Sequence, residues 1–253
     1  MADAHVVEQV KGNVSAVLAT TGRFTARHYG WLLWAAGALV LLVMAVLAHS
    51  EPQFPGDAAI SGLLQRFRGT ALAPILDFPS DINQPLPGAV IAVVIVITLL
   101  ILRRVIAAIV VAVATFGADL LNALINGLVA RPRPNNIHVA TVSGLGAHSF
   151  PSGHVEHVTM LFGFLVFLIL LVRRAQPERW KWLLPILVIC IYFIALVGVG
   201  RVVEGDHQPS DVLGGYLVAA LMLPLAILFY RWLGARWQRH QQRKAQAHAI
   251  HST

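Results

Sequence analysis

Charge is scarce in this sequence. Only 12% of its 253 residues are Asp, Glu, Lys or Arg, against 57% hydrophobic, where a soluble domain carries roughly a quarter charged residues. That shortage excludes an ordinary water-facing surface and makes a bilayer the natural solvent. Cysteine is scarcer still. Cys190 is the one cysteine, which excludes an intramolecular disulfide, and a single thiol inside an apolar run is a buried bystander rather than a metal site. Acidic residues number 12 against 19 Lys and Arg, giving a net charge of +7. Such a balance points to nucleic acid when the cations cluster on one surface. Here they sit at the ends of hydrophobic runs, the pattern of membrane topology, so no nucleic-acid partner is expected. Internal repeats, coiled-coil heptads and low-complexity tracts are missing. So is a cleavable leader: residues 1–28 are polar and of mixed charge, and the first apolar run starts at Trp31, too late for a secretory signal and without a small-residue cleavage site.

What is present is a series of apolar runs. Spanning the hydrocarbon takes about 20 apolar residues in a helix, and six stretches qualify: 29–47, 86–102, 105–129, 155–172, 182–199 and 211–233. The expected fold is all-α, a polytopic bundle of six transmembrane helices forming one membrane-embedded domain over 1–253. A cytoplasmic segment over 1–28 precedes the bundle and a flexible basic tail over 236–253 follows it. The proline-punctuated stretch 51–84 contains Ile60-Ser61-Gly62-Leu63-Leu64, which suits a short interfacial helix. Arg103-Arg104 forms a tight turn. Placing both termini in the cytoplasm leaves five cations outside (Arg66, Arg68, Arg131, Arg133 and Arg201) and fourteen of the nineteen inside, counting Arg231 at the end of the sixth run. This is the orientation that the positive-inside bias favours. Tryptophans such as Trp31, Trp34, Trp180 and Trp182 suit interfacial belts. His240, His248 and His251 belong to a solvated basic tail near anionic headgroups.

Two outer loops hold most of the polar groups that topology does not require. One carries Arg131-Pro132-Arg133-Pro134 and, further on, Pro151-Ser152-Gly153-His154. The other carries Arg201, His207 and Asp211. All fall at one membrane face. Arginine offers a planar fork of donors that matches phosphate oxygens and keeps its charge. Ser152, Gly153 and His154 lie where the fourth helix begins. Unpaired N–H groups at a helix start receive anions, and glycine lets an anion approach. Two histidines supply nucleophilic and proton-transfer chemistry near neutral pH. Asp211 follows His207 by one helical turn, a spacing at which a carboxylate can hold an imidazole in one tautomer. Pro209 and Ser210 fit a helix start. Each fragment alone has an ordinary reading, such as a helix anchor, a turn or a structural hydrogen bond. Their co-occurrence on one face does not.

In order and spacing these residues resemble the type 2 phosphatidic acid phosphatase superfamily, which includes the vanadium haloperoxidases. Its signature is Lys, six residues, Arg-Pro; then Pro-Ser-Gly-His; then Ser-Arg, five residues, His, three residues, Asp. Arg133-Pro134 end the first part, Pro151 to His154 match the second in full, and Arg201, His207 and Asp211 match the third. Two positions depart: Asn126 stands where the family has lysine, and Gly200 where it has serine. The resemblance implies a metal-independent lipid phosphatase with no cofactor. In it His207 attacks phosphorus to form a phosphohistidine, Asp211 orients His207, and His154 protonates the leaving oxygen and then activates water. Arg133, Arg201, Ser152 and the Gly153 N–H stabilise the transferring phosphoryl group, with Asn126 lending amide donors in place of the lysine charge.

The implied partner is a lipid phosphate or diphosphate held among membrane lipids: polyprenyl diphosphate, phosphatidylglycerol phosphate or phosphatidic acid. No obligate protein partner is evident. Compact size and short loops suit a bacterial inner or plasma membrane, with the site extracytoplasmic. Alternatives are a phosphotransferase using a lipid phosphate donor, and a non-catalytic lipid-phosphate binder or transporter. Asp119, Asn122 and Asn126 share one helix face, and intramembrane ionisable groups are functional by default; Asp119 either supports the site or makes an interhelical contact. Glu156 and His157, at the start of the fourth helix, read first as structural. Arg131 either touches the headgroup or substrate or serves as a helix anchor. His138 and His148 read as solvated loop residues.

Overall fold

The computed structural model describes residues 29–134 and 148–251, the last five as helical backbone. The segment 1–28 and His138 lie outside the described residues. Every regular element among the described residues is helical. In chain order these are α1 (Tyr29–Ser50), α2 (Asp57–Leu64) continuing into a 3-10 turn at Gln65–Phe67, α3 (Ala73–Asp81), α4 (Pro85–Ile101), α5 (Val105–Val129), α6 (Gly153–Ala175), a 3-10 turn at Trp180–Leu183, α7 (Leu184–Val203) and α8 (Pro209–His251). Prolines open α3, α4, α7 and α8, where the missing N–H has no intrahelical partner to lose.

Five helices are long and apolar enough to cross a membrane, and a sixth crossing results if α3 and α4 count as one broken span. The all-α, polytopic expectation therefore holds, with two differences in layout. The run expected at 86–102 is α4, whose 17 residues are short for a span by themselves and meet α3 at a 70° bend. Pro85 fixes the start of α4 and cannot extend the preceding turn. The sixth helix does not stop near residue 233. Through most of the basic tail expected over 236–253, α8 continues as helix to His251, because beyond Gly234 the chain is rich in Ala, Gln, Arg and Lys, all strong helix formers. The short helix expected near 60–64 is α2.

The chain divides into two compact units at Leu42/Val43. The described part of the first is the opening stretch of α1, where Trp31 and Trp34 meet edge to face with centroids 6.2 Å apart. In the second unit α6 is central and packs against α5, α7 and α8. Val110, Val111, Leu161, Phe164 and Ala219 close its core on the α5–α8 side. Val155, Val158, Cys190, Val197 and Val212 close it on the α7 side. Large apolar residues elsewhere, such as Val93, Phe116, Ile191 and Leu213, are exposed, as a lipid-facing surface requires. This packing brings the end of α5, the starts of α6 and α8 and the end of α7 to one end of the bundle.

Candidate active site

The site is assembled on a buried ion network. At the end of α5, Ala130 takes a left-handed conformation (φ 52°) and its N–H closes on the Asn126 carbonyl. This turn drives Arg131 inward, where it is wholly buried. Arg131 Nη1 donates to Asp211 Oδ1 at 2.6 Å and to Ser210 Oγ at 2.8 Å, Nη2 donates to Asp57 Oδ2 at 3.3 Å, and the guanidinium lies 4.7 Å from the Phe54 ring centroid. Asp57 also accepts from the Ser210 N–H and hydroxyl and from the Phe54 N–H. Arg131 is thus neither a headgroup contact nor an interfacial anchor. It ties the segment before α2, the end of α5 and the start of α8 into one buried knot, and it holds Asp211.

The Pro151–His154 segment is pinned from three sides. Asn126 Nδ2 donates to the His148 and Phe150 carbonyls at 3.0 and 3.2 Å. Ser149 donates its N–H to the Arg131 carbonyl and its hydroxyl to Asp211 Oδ2. The Ser152 N–H donates to the Asp211 carbonyl at 3.0 Å. Close backbone approach adds to this: a Cβ on Gly215 would lie 2.5 Å from the Ser152 carbonyl oxygen, and one on Gly214 would lie 2.5 Å from the Phe150 ring. The Phe150–Pro151 bond is cis. The expected phosphate contact of Asn126 is corrected by this geometry. Both of its amide hydrogens are committed to loop carbonyls, so the residue shapes the loop rather than presenting donors to an anion. Ser152 fares differently. It precedes α6 but makes no side-chain cap, and its buried hydroxyl has no partner among the described residues, which leaves a donor at the helix start. Gly153 opens α6, and His154 follows with Nε2 buried and without a partner among the described residues.

The third part of the site is the turn after α7. Arg201 Nη1 donates to Glu204 Oε2 at 2.8 Å and to Ser80 Oγ at 3.0 Å, and Nη2 lies 2.6 Å from Asp206 Oδ2. Gly205 (φ 82°) makes the reversal, and the Asp206 and His207 N–H groups both return to the Arg201 carbonyl. His207 is buried with Nδ1 3.7 Å from Asp211 Oδ2. That separation lies within ion-pair range but beyond a hydrogen bond. The expected brace is therefore present as a nearby charge, while Asp211 Oδ2 accepts from the Gln208 N–H at 2.8 Å and from Ser149. Arg133 Nη1 reaches the Asp206 carbonyl at 3.4 Å.

Charge and burial set the protonation states. Burial lowers the His207 pKa from its ordinary value; Arg201 and Arg133 push the same way, and Asp211 opposes them. His207 is therefore neutral near pH 7, with a lone pair available. Arg133 is drawn below its ordinary value by burial and by Arg201. Glu204, though paired with Arg201, is pushed up to about 7 by burial. His154 lies within electrostatic reach of Arg201, His207 and Arg133, so seven of the eight expected site residues share one neighbourhood and Asn126 supports it from below.

Beside His154 a cavity of about 280 Å³ is lined by Asn83, Gln84, Asp119, Gly153, His154 and His157. Asp119 and His157 pair at 2.9 Å on its wall. Glu156 is fully buried next to Asp119. His148 is half-buried rather than solvated. Sequence reasoning missed Asp57, Ser80, Ser149, Glu204 and Asp206. Glu204 and Asp206 lie within five residues of Arg201 and could have been found by asking what neutralises a buried arginine. Asp57 opens the short helix α2, Ser80 lies in the broken span and Ser149 in a loop, and none carries a periodic signal.

One end of this helical membrane bundle thus gathers Arg133, Arg201, His154 and His207 around a helix start that has no side-chain cap. The family model of the PAP2 superfamily matches residues 106–237, and the chain belongs to that superfamily. Among curated proteins it resembles phosphatidylglycerophosphatase B of Bacillus subtilis (strain 168), with 30% identity over 108 residues, 42% of this chain; the chain spans about half the length of that relative, 50%. Among solved structures it resembles a transmembrane PAP2 type phosphatidylglycerolphosphate phosphatase from Bacillus subtilis, with a TM-score of 0.62 and 22% identity over 78% of this chain and 94% of that one. That likeness extends the shared fold beyond the residues of the family match.

Proposed function

We propose that the chain is a lipid phosphatase that removes the terminal phosphate of a glycerophospholipid phosphate monoester through a phosphohistidine. The observation that carries this reading is the buried His207 set among Arg133, Arg201 and the Ser152 hydroxyl, which has no partner among the described residues. His207 Nδ1 faces Asp211, which leaves Nε2 to attack phosphorus. As the P–N bond forms, the P–O bond to the lipid breaks, and protonated His154 delivers its proton to the departing alkoxide. Water then attacks the phosphohistidine, His154 takes its proton, and the P–N bond breaks to release inorganic phosphate. Arg133, Arg201, Ser152 and the α6 N–H groups hold the equatorial oxygens, whose charge they stabilise most in the transition state. The cavity beside His154 receives the leaving alcohol, and Asp119, Asn83 and Gln84 there offer partners to glycerol hydroxyls.

Phosphatidylglycerol phosphate is the favoured substrate, supported by the activity for which both relatives are named. Polyprenyl diphosphate and phosphatidic acid are the comparison substrates. The positive-inside bias supports an extracytoplasmic site with both termini cytoplasmic.

The test is phosphate release by detergent-purified protein from these three lipids in the presence of EDTA, for wild type and His207→Ala. Release that vanishes in the variant, with acid-labile phosphate trapped on the wild type during turnover, is the expected result. Turnover that survives His207→Ala would remove the phosphohistidine. Phosphate binding without turnover would favour a binder or transporter, and phosphate transferred to an added alcohol in place of water would favour a phosphotransferase.

A further inference from the structure

The opposite end of the bundle carries a second concave surface. Where the α4–α5 turn meets the far half of α8, a groove of about 1010 Å³ is lined by Arg103, Arg104, Arg236, Arg239, His240 and Arg243. Among the described residues no aspartate or glutamate lines it. None of the five arginines pairs with a carboxylate among the described residues. Positions 236, 239, 240 and 243 follow the i, i+3, i+4, i+7 pattern, so they share one face of α8. Like charges at that spacing disfavour a helix, yet α8 runs through them to His251. The remaining lining is apolar and aromatic, including Ile106, Ile109, Trp232 and Trp237, and the Arg236 guanidinium lies 4.9 Å from the Trp232 ring centroid.

The groove's depth in the membrane follows from helix geometry. Val105 begins α5 at the groove and Val129 ends it at the active site. At about 1.5 Å rise per residue that interval is roughly 36 Å, slightly more than the hydrocarbon thickness. The groove therefore sits at the membrane–water boundary opposite the active site. Leu102 and Ile109, exposed beside it, continue it onto the lipid-facing surface.

We propose that this groove binds the headgroup of an anionic phospholipid from the leaflet opposite the active site. Guanidinium forks take the phosphate oxygens, the aromatic residues seat the glycerol region, and the acyl chains lie along the exposed apolar surface. A zwitterionic headgroup leaves the excess positive charge unopposed, and a free anion leaves the apolar floor uncovered. The bound lipid neutralises the like-charged face of α8 and ties that helix to the α4–α5 turn.

The experiment uses the full-length chain, delipidated in neutral detergent. It is titrated with phosphatidylglycerol, with phosphatidylcholine of the same acyl chains, or with inorganic phosphate, and followed by native mass spectrometry and thermal unfolding. Phosphatidylglycerol is expected to be retained and to raise the melting temperature, while phosphatidylcholine and inorganic phosphate are not. Two variants on separate elements, R103Q/R104Q and R236Q/R239Q/R243Q, are each expected to weaken retention about tenfold or more while helical circular dichroism is kept. Arg201→Gln, at the other end of the bundle, is expected to leave retention unchanged and so separates this site from the active site. Equal retention of both lipids, the same stabilisation by inorganic phosphate, or unaltered retention in a folded groove variant overturns the proposal. Because the readout is binding, the outcome stands apart from whether the protein hydrolyses any lipid.

Discussion

At the scale of single residues, the arrangement depends on side chains set behind the groups proposed to hold the phosphate. Arg131 is the clearest case: its charge is balanced by Asp57 and Asp211 inside the protein. Removing one partner of a buried ion network strands the others, which costs about 3–5 kcal/mol. Arg131→Ala is expected to lower unfolding stability by that amount and to abolish turnover by freeing Asp211. Arg131→Lys is expected to rescue only part of the stability, since an ammonium cannot span both carboxylates as a fork does; thermal unfolding in one detergent checks both. Glu204 gives a pH signature. Its folded pKa of about 7 lies above the ordinary 4.5, so the folded state holds a proton there that the unfolded state releases. The group's stabilising contribution is complete below about pH 4.5 and is lost as pH rises through about 7. Wild type is expected to lose stability over that window more steeply than Glu204→Gln, and equal slopes would remove Glu204 as the cause. At this scale the sequence was most legible where chemistry is rare in a membrane. Arg133, His154, Arg201, His207 and Asp211 stand out because a span has no other use for them. Asp57 did not, because one acid in a proline-rich linker has no period and its partner lies 74 residues away.

Element packing explains one departure from the family signature. Gly200 stands where the family has serine, and a Cβ there would lie 2.7 Å from the Leu76 carbonyl oxygen and 3.2 Å from the Asp77 Cα. α3 lies against α7 too closely for a side chain, and its Ser80 bridges Arg201 and Glu204. Gly200→Ser is accordingly expected to push α3 away and to raise KM more than it lowers kcat, because Arg201 loses its support while His207 keeps its own. A changed kcat at constant KM would argue that α3 has no part in holding Arg201. Asn126 is the companion case. Asn126→Leu keeps the volume but leaves the His148 and Phe150 carbonyls unpaired, at about 1–3 kcal/mol for a buried polar group, and the loop that presents Ser152 is expected to loosen. Protease protection of that loop, compared with wild type, reads this directly. The long spans α5, α6 and α7 could be placed from hydropathy alone. The α3–α4 bend could not, since hydropathy marks apolar length and carries no angle, and α8 ends later than its apolar run because helix propensity continues through the polar residues that follow.

For the whole molecule, orientation decides which leaflet supplies the substrate and which supplies the groove lipid. Fourteen of the nineteen Lys and Arg residues fall on one side in the six-span reading, and the arginine groove lies on that same side. Such cations resist translocation, so the groove side is expected to be cytoplasmic and the His207 side extracytoplasmic. Cys190 makes this simple to measure. It is the one cysteine and is fully buried, so it contributes little background labelling, and Cys190→Ser removes even that. In that background Gln53→Cys, exposed after α1, and Gln242→Cys, exposed on the far part of α8, place one thiol on each side. A membrane-impermeant maleimide applied to intact cells is expected to label the Gln53→Cys protein at once and the Gln242→Cys protein only after permeabilisation. The reverse pattern would put His207 in the cytoplasm and confine the substrate to the inner leaflet. It would also place the groove lipid in the outer one, a strong reason to doubt that so basic a surface was ever carried across.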